Sequence, residues 1–146
     1  MTARFRSIGL AGIALVAALA ALAAFAQVPR AKAPAEAKLY FITPEDGQAL
    51  TGEFTVRFGL TGMGVAPAGV ATEGTGHHHL IVDAPLPPMN LPIPKDATHL
   101  HFGNGQTETT LELAPGEHTL QLLLADANHI PHEPPVVSER IRITVK

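Results

Sequence analysis

The strongest constraint on the fold is the alternation of apolar and polar residues between Phe54 and Leu60. Every second residue of this segment is a large apolar one, and Thr55 and Arg57 stand between them. Side chains of a β-strand alternate between the two faces of a sheet, so this pattern predicts a strand with one buried face. An amphipathic helix would need apolar residues three and four positions apart, and the segment does not provide that spacing.

Similar short segments, separated by turn residues, follow one another along the rest of the chain. We predict strands at 39–42, 54–60, 77–83, 99–102, 106–113, 117–124 and 136–145. The sequence Ala114-Pro115-Gly116 between two of them predicts a β-hairpin. No amphipathic helix is indicated after residue 26. The sequence therefore predicts an all-β fold, an immunoglobulin-like antiparallel β-sandwich of about seven to eight strands.

The N-terminal residues have the features of an export signal. Arg4 and Arg6 precede an apolar stretch at 8–26, and Ala24-Phe25-Ala26 fits the small-x-small rule for cleavage. We predict a signal peptide at 1–26, a flexible linker at 27–37 and one β-sandwich domain at 38–146. The expected location is periplasmic or secreted, without membrane association after cleavage. An uncleaved membrane anchor is the alternative, because the apolar stretch is long for a signal peptide.

The composition excludes several classes of function. The chain has no cysteine, so disulfides and thiolate ligands or nucleophiles are ruled out. It carries a net charge of −3 with one Tyr and no Trp, which argues against nucleic acid as a partner. Ser138 is the only serine after residue 26, and no phosphate-binding or dinucleotide-binding motif is present. An enzyme is therefore less expected than a binding protein, and a metal-dependent enzyme is the form that stays open.

All eight histidines lie between His77 and His132. In the strand 77–83, Leu80 and Val82 are the expected core residues, which puts His78 on the buried face and His77 with His79 on the opposite, outward face. In the strand at 99–102, His99 and His101 likewise share an outward face. Residues two apart on a strand have Cα atoms roughly 6.5–7 Å apart, so their imidazoles can converge on one ion.

The two strand pairs and a third pair in the loop at 125–135 together predict a metal site. Its candidate ligands are His77, His79, His99, His101, His129 and His132. Nitrogen ligands without thiolate suit copper or zinc, and the affinity order favours copper. Asp83 and Asp126 could accept from an imidazole and fix its tautomer, but the sequence favours them as turn residues at strand ends. His118 is expected to pack at a strand end.

Four motifs carry a resemblance to a known family. They are GHHHLIVD at 76–83, HFGNGQTET at 101–109, PGEHTL at 115–120 and DANHIPH at 126–132. On these motifs, the chain resembles a bacterial family of small exported proteins catalogued as a domain of unknown function. The resemblance implies no activity and supplies no functional residues.

Three kinds of function therefore stay open, and a metal-dependent enzyme is the least expected of them. The first is an exported protein that binds copper or zinc through the histidines. The second is an immunoglobulin-like module without metal that contacts another protein of the cell envelope, because long Pro-rich loops at 61–76 and 84–98 are typical of binding surfaces on a rigid sandwich. In a variant of the second, clustered imidazoles that gain charge below about pH 6 would act as a pH sensor.

Overall fold

The structure is a computed structural model that describes residues 29–146. The predicted signal peptide at 1–26 lies outside the described residues. Between residues 29 and 146 the chain forms β-strands and no helix, as the sequence predicts. Consistently, none of these residues belongs to a helix that could span a lipid bilayer. The strands are β1 (Lys38–Thr43), β2 (Gln48–Leu50), β3 (Phe54–Thr61), β4 (Gly64–Val65), β5 (Thr75–Val82), β6 (His99–His101), β7 (Glu108–Leu111), β8 (Gly116–Ala125) and β9 (Ile141–Val145).

The strands form two sheets packed face to face. The smaller sheet has the order β1-β3-β7, and the larger has the order β2-β9-β8-β5-β4, with β6 paired to β5. The pairs β2–β9 and β4–β5 are parallel, and the remaining pairs are antiparallel. The immunoglobulin-like β-sandwich predicted from the sequence is confirmed. The described residues contain slightly more strands than the seven or eight predicted, because β2 and β4 are too short to give a sequence pattern.

The main core lies between the sheets and follows the predicted alternation. Its larger-sheet residues include Leu80 and Val82 from β5, every second residue of β8 from Leu120, and every second residue of β9 from Ile141. The smaller sheet contributes Phe54, Val56, Phe58 and other apolar residues of β1 and β7. His78 lies in phase with Leu80 and is fully buried, with its ring centroid 5.1 Å from that of Phe58. The prediction that His78 faces the core is confirmed.

The predicted hairpin at 114–116 is wrong. β7 pairs with β3 in the smaller sheet, whereas β8 pairs with β5 and β9 in the larger one. The Ala-Pro-Gly segment therefore crosses from one sheet to the other. Turn residues show where the chain changes direction, but they do not show whether the two flanking strands pair with each other.

The predicted strand at 136–145 is interrupted. The regular strand begins at Ile141, and the preceding segment contacts β8 through an isolated bridge between Leu123 and Val137. At the interruption, the Ser138 hydroxyl accepts a hydrogen bond from the backbone N–H of Leu122 (2.8 Å). A side chain there takes over a position that a backbone carbonyl holds in a regular ladder.

The outer face of the larger sheet is covered rather than solvated. Ile81, Ile93, Leu123 and Ala125 form a second buried cluster, against which Leu86, Met89 and Val137 pack. The loop at 84–98 and the segment at 126–137 supply the cover. The sequence-based expectation that His77 and His79 face outward gave the correct face, but both side chains are fully buried. This sheet is buried on both faces, which is typical of strands with continuous apolar runs.

Residues 29–37, within the predicted flexible linker, contact the sandwich. Arg30 donates hydrogen bonds to the carbonyls of Pro131 (2.9 Å) and His132 and forms an ion pair with Glu133 (2.7 Å). A backbone bridge joins Lys32 to Glu133. This segment therefore packs beside the loop that carries His129 and His132.

Candidate metal centre

The register of β5 and β6 brings two of the predicted histidine pairs together. β6 pairs antiparallel with β5, so that His101 lies opposite His79 and His99 lies opposite Ile81. Side chains opposite each other on one face of a sheet are neighbours. His77, His79 and His101 therefore meet on the outer face of the larger sheet, and the rings of His79 and His101 have centroids 5.0 Å apart.

A tight turn after β8 adds His129. The Asp126 carboxylate accepts hydrogen bonds from the backbone N–H groups of Asn128 (2.8 Å) and Ile130 (3.1 Å). His129 adopts a left-handed backbone conformation (φ 65°), and its N–H donates to the carbonyl of Asp126 (3.0 Å). Its own carbonyl accepts from the N–H of Ile93 in the covering loop (2.8 Å). Asp126 is therefore a turn residue at a strand end, as the sequence favoured, and it accepts from the turn that holds His129.

Four imidazoles form one cluster, which we call the histidine centre: His77, His79, His101 and His129. The ring centroids of His77, His101 and His129 lie 4.8–5.0 Å from one another. The ring of His79 lies 4.9 Å from that of His77 and 6.2 Å from that of His129. His77, His101 and His129 each offer a nitrogen within 4.8 Å of the others, a suitable arrangement for a metal ion.

The separations of the nitrogens fit those of ligands on one ion. The Nε2 atoms of His77 and His79 are 3.1 Å apart, and so are those of His101 and His129. Two nitrogens at 2.0–2.1 Å from the same ion are about 2.9 Å apart at a right angle and about 3.3 Å apart at a tetrahedral angle. The observed distance lies between these values. The wider separations within the triad, which reach up to 4.8 Å, need to close by up to about 1.5 Å to match the tetrahedral value.

The histidine centre satisfies its polar atoms poorly without an ion. An Nε2–Nε2 hydrogen bond uses one donor and one acceptor, so each such pair makes a single bond. The Nδ1 atoms of His77 and His79 are buried and have no hydrogen-bond partner in the protein. A buried polar atom without a partner costs about 1–3 kcal/mol. A purely structural role for His77 and His79 is therefore costly.

Burial keeps the rings of His77, His79 and His101 neutral. Burial, followed by the neighbouring His129 and His101, lowers the pKa of His77 to about 4, whereas the negative charge of Asp126 raises it. Burial also lowers the pKa of His79, with His77 and His101 acting in the same direction. The pKa of His101 is lowered by burial, then by His129 and Lys95. Near neutral pH these rings therefore have free lone pairs, which metal binding requires.

Two of the six candidate ligands lie outside the histidine centre. The Nδ1 atom of His99 contacts the carboxylate of Asp96 (2.9 Å), which also accepts from Thr98. The Nε2 atom of His132 contacts the carbonyl of Thr75 (3.0 Å). The structure thus brings four of the six residues together, and metal binding by those four stays a prediction.

The other candidate residues have separate positions. His118 lies near a strand end, as expected, with Nδ1 2.6 Å from the carboxylate of Asp83 and Nε2 2.8 Å from the carbonyl of Ala114. Asp83 therefore contacts His118 and not the histidine centre. The methionines at 63 and 89, whose thioethers are possible ligands for Cu(I), are also away from the histidine centre: Met63 packs against the main core and Met89 against the second cluster.

Comparisons with known proteins give the family and distant likenesses. The family model described as "Domain of unknown function (DUF4399)" matches residues 56–146. No curated protein is significantly similar to the chain. Among solved structures, the endo-beta-1,4-mannanase from Thermotoga petrophila is 18% identical with a TM-score of 0.44, over 76% of this chain and 20% of that one. The fibronectin(III)-like modules of Clostridium thermocellum CbhA are 8% identical with a TM-score of 0.33, over 73% and 92%. The chain spans about a fifth of the length of the mannanase chain.

Proposed function

The chain belongs to the DUF4399 family of domains of unknown function, and we propose that it is an exported protein that binds one copper or zinc ion in the histidine centre. His77, His101 and His129 supply three nitrogen ligands, and His79 is the candidate for the fourth. The observation that carries the proposal is the convergence of imidazole nitrogens from three separate segments, two of the rings fully buried and two half-buried, with pairs 3.1 Å apart.

The donor set supports copper or zinc over other ions. All the donors are imidazole nitrogens, which suit zinc, copper and nickel, whereas calcium and magnesium require oxygen ligands. Neither Met63 nor Met89 is in the cluster, so no thioether is available to select Cu(I). Periplasmic or secreted location is part of the proposal and rests on the pattern of residues 1–26.

Metal analysis of protein purified from periplasm without an affinity tag tests the proposal. We expect about one equivalent of copper or zinc after loading. We also expect a rise of the melting temperature that grows with ion concentration, since an ion at 100 times its Kd stabilises the folded state by about 2.7 kcal/mol. Less than a tenth of an equivalent, with no rise after addition of either metal, would contradict the proposal.

A matched pair of substitutions on β6 tests whether the ion is bound at the histidine centre. His101→Ala removes a ligand, and His99→Ala removes an imidazole of similar exposure from the same strand, two residues away and outside the centre. We expect the first variant to lose metal binding at least tenfold more than the second, and circular dichroism to confirm that both are folded. Equal losses would show that the ion is held elsewhere.

The alternative is an interaction module that contacts another envelope protein without metal. It was suggested by the Pro-rich loops, but the loop at 84–98 packs on the sheet through Leu86, Met89 and Ile93. These side chains of the loop are therefore committed to covering the sheet. If the alternative holds, His77→Ala, His79→Ala and His101→Ala will leave partner binding unchanged.

A further inference from the structure

Gly103 lies directly against the ring of His101. A Cβ atom at residue 103 would stand 2.2 Å from Cε1, 2.6 Å from Nε2 and 3.2 Å from Nδ1 of His101. Real Cβ contacts are essentially never below 3.0 Å. The imidazole of His101 thus occupies the space in which any residue other than glycine would place its side chain.

The backbone gives no other reason for glycine at this position. In the turn after β6 the left-handed conformation that favours glycine occurs at Gly105 (φ 82°), and Gly103 is not among the described residues with positive φ. The carbonyl of Gly103 accepts a hydrogen bond from Ala68, which any residue could do. The close approach of the imidazole is therefore the feature that requires the absence of a side chain.

We propose that Gly103 is a positioning residue of the histidine centre: it leaves the space in which the His101 ring lies with Nε2 directed at the other imidazoles. This inference rests on the proposed function for its effect on metal binding. A methyl group at residue 103 overlaps the Cε1–Nε2 edge of the ring, the same edge that contacts His129 at 3.1 Å. The ring must then turn away, and the centre loses the ligand that joins β6 to the 126–130 turn.

Gly103→Ala should lower the stability of the fold little compared with its effect on metal binding. The atoms that the methyl group meets belong to the end of one side chain and not to backbone. His101 is only half-buried, so its ring has room to move toward solvent. Gly103→Ala should consequently move a metal ligand while the stability of the sandwich stays nearly unchanged.

The first test compares metal-free Gly103→Ala with metal-free wild type by NMR. Wild type should show contacts between the ring protons of His101 and His129, and Gly103→Ala should lose them. Gly64→Ala is the control, because a Cβ at residue 64 meets only the Thr75 methyl carbon at 3.4 Å and residue 64 has no positive φ. Retention of the ring contacts in Gly103→Ala overturns the inference. This measurement needs no ion, so it is independent of the proposed function.

The second test measures affinity for zinc and for copper in a double-mutant cycle. Gly103→Ala should weaken binding about 10- to 100-fold, the range found for residues that orient metal ligands. In a His101→Ala background it should weaken binding less than twofold, because its effect passes through His101. Equal losses in both backgrounds would overturn the inference. Should Gly103→Ala alone fail to fold, the double variant, in which the ring is removed, should fold; its failure to do so overturns the inference as well.

Discussion

Gly76 precedes His77 on β5, and its close packing leads to a prediction with a defined size. A Cβ atom at residue 76 would lie 2.7 Å from the carbonyl oxygen of Ala125, 2.8 Å from Cε1 of His132 and 2.9 Å from Cγ of Leu124. These distances fall short of ordinary contact, which begins at 3.4 Å, by up to about 0.7 Å. The Ala125 oxygen is backbone, and Ala125 pairs with His77 in the β5–β8 ladder, so it cannot move without disturbing that ladder.

Gly76→Ala should therefore lower the free energy of unfolding by about 1.3 kcal/mol. Overpacking of this kind costs about 1–3 kcal/mol, and the smaller entropy of the unfolded alanine chain offsets about 0.4–1 kcal/mol of that cost. For a domain of this size the loss corresponds to a fall in melting temperature of about 4–7 °C. Equilibrium urea unfolding of the metal-free protein measures it directly.

Two other glycine-to-alanine substitutions serve as controls for the effect of close packing at residue 76. Gly64→Ala meets no close contact, and Gly59→Ala meets only the movable ring of Tyr40, which is 45% exposed. Both should change the free energy of unfolding by less than about 0.5 kcal/mol. If Gly76→Ala proves as stable as Gly64→Ala, the reasoning from the close approach of β5 and β8 is refuted.

Two further predictions concern pH. Burial lowers the pKa of His78 to about 4, although a backbone contact with Gln106 acts in the opposite direction. Between pH 6.5 and 4 the unfolded chain therefore binds a proton at His78, whereas the folded chain does not. The free energy of unfolding of the metal-free protein should fall as the pH is lowered through that interval, by about 3 kcal/mol from His78 alone. His78→Leu should remove this part of the fall, so urea unfolding at each pH should show a weaker dependence of the free energy of unfolding on pH. Hydrogen bonds from His118 to the carboxylate of Asp83 and to the carbonyl of Ala114 raise the pKa of His118. The stability that these contacts contribute is complete below pH 6.5 and is lost as the pH rises through the raised pKa of His118. His118→Ala should therefore lower the free energy of unfolding by less than about 1 kcal/mol near pH 6 and by nothing at pH 9. A cost that grows with pH would contradict the assignment.

The sequence predicted those parts of the fold in which one face of a strand is apolar and the other is not. The alternation at 54–60 and at 141–145 gave the correct strands and faces, and the position of His78 followed from Leu80 and Val82. The pairing of β7 was missed because turn residues carry no information on which sheet the next strand joins. Alternation along a single strand is a local property, whereas pairing depends on the whole chain.

The histidine centre was only partly predictable. The face shared by His77 and His79 followed from the strand period, but their burial depends on the covering segments at 84–98 and 126–137, which lie outside the strand. A signal for that cover was present in the continuous apolar run from Leu122 to Ala125, which is typical of a strand buried on both faces. The positions of His129 and His132 could not be predicted from strand periodicity. A turn held by Asp126 determines the position of His129, and the carbonyl of Thr75 accepts a hydrogen bond from Nε2 of His132.

The origin of the four imidazoles in two strands and a turn also bears on how a molecule would acquire its ion. The strand β5, the register of β6 and the turn after β8 all have to be in place before the nitrogens converge. A pre-formed site of this kind does not exist in an unfolded chain. Loading could follow folding but could not guide its first steps, and an ion retained through purification would distinguish mature molecules from those whose sandwich is incomplete.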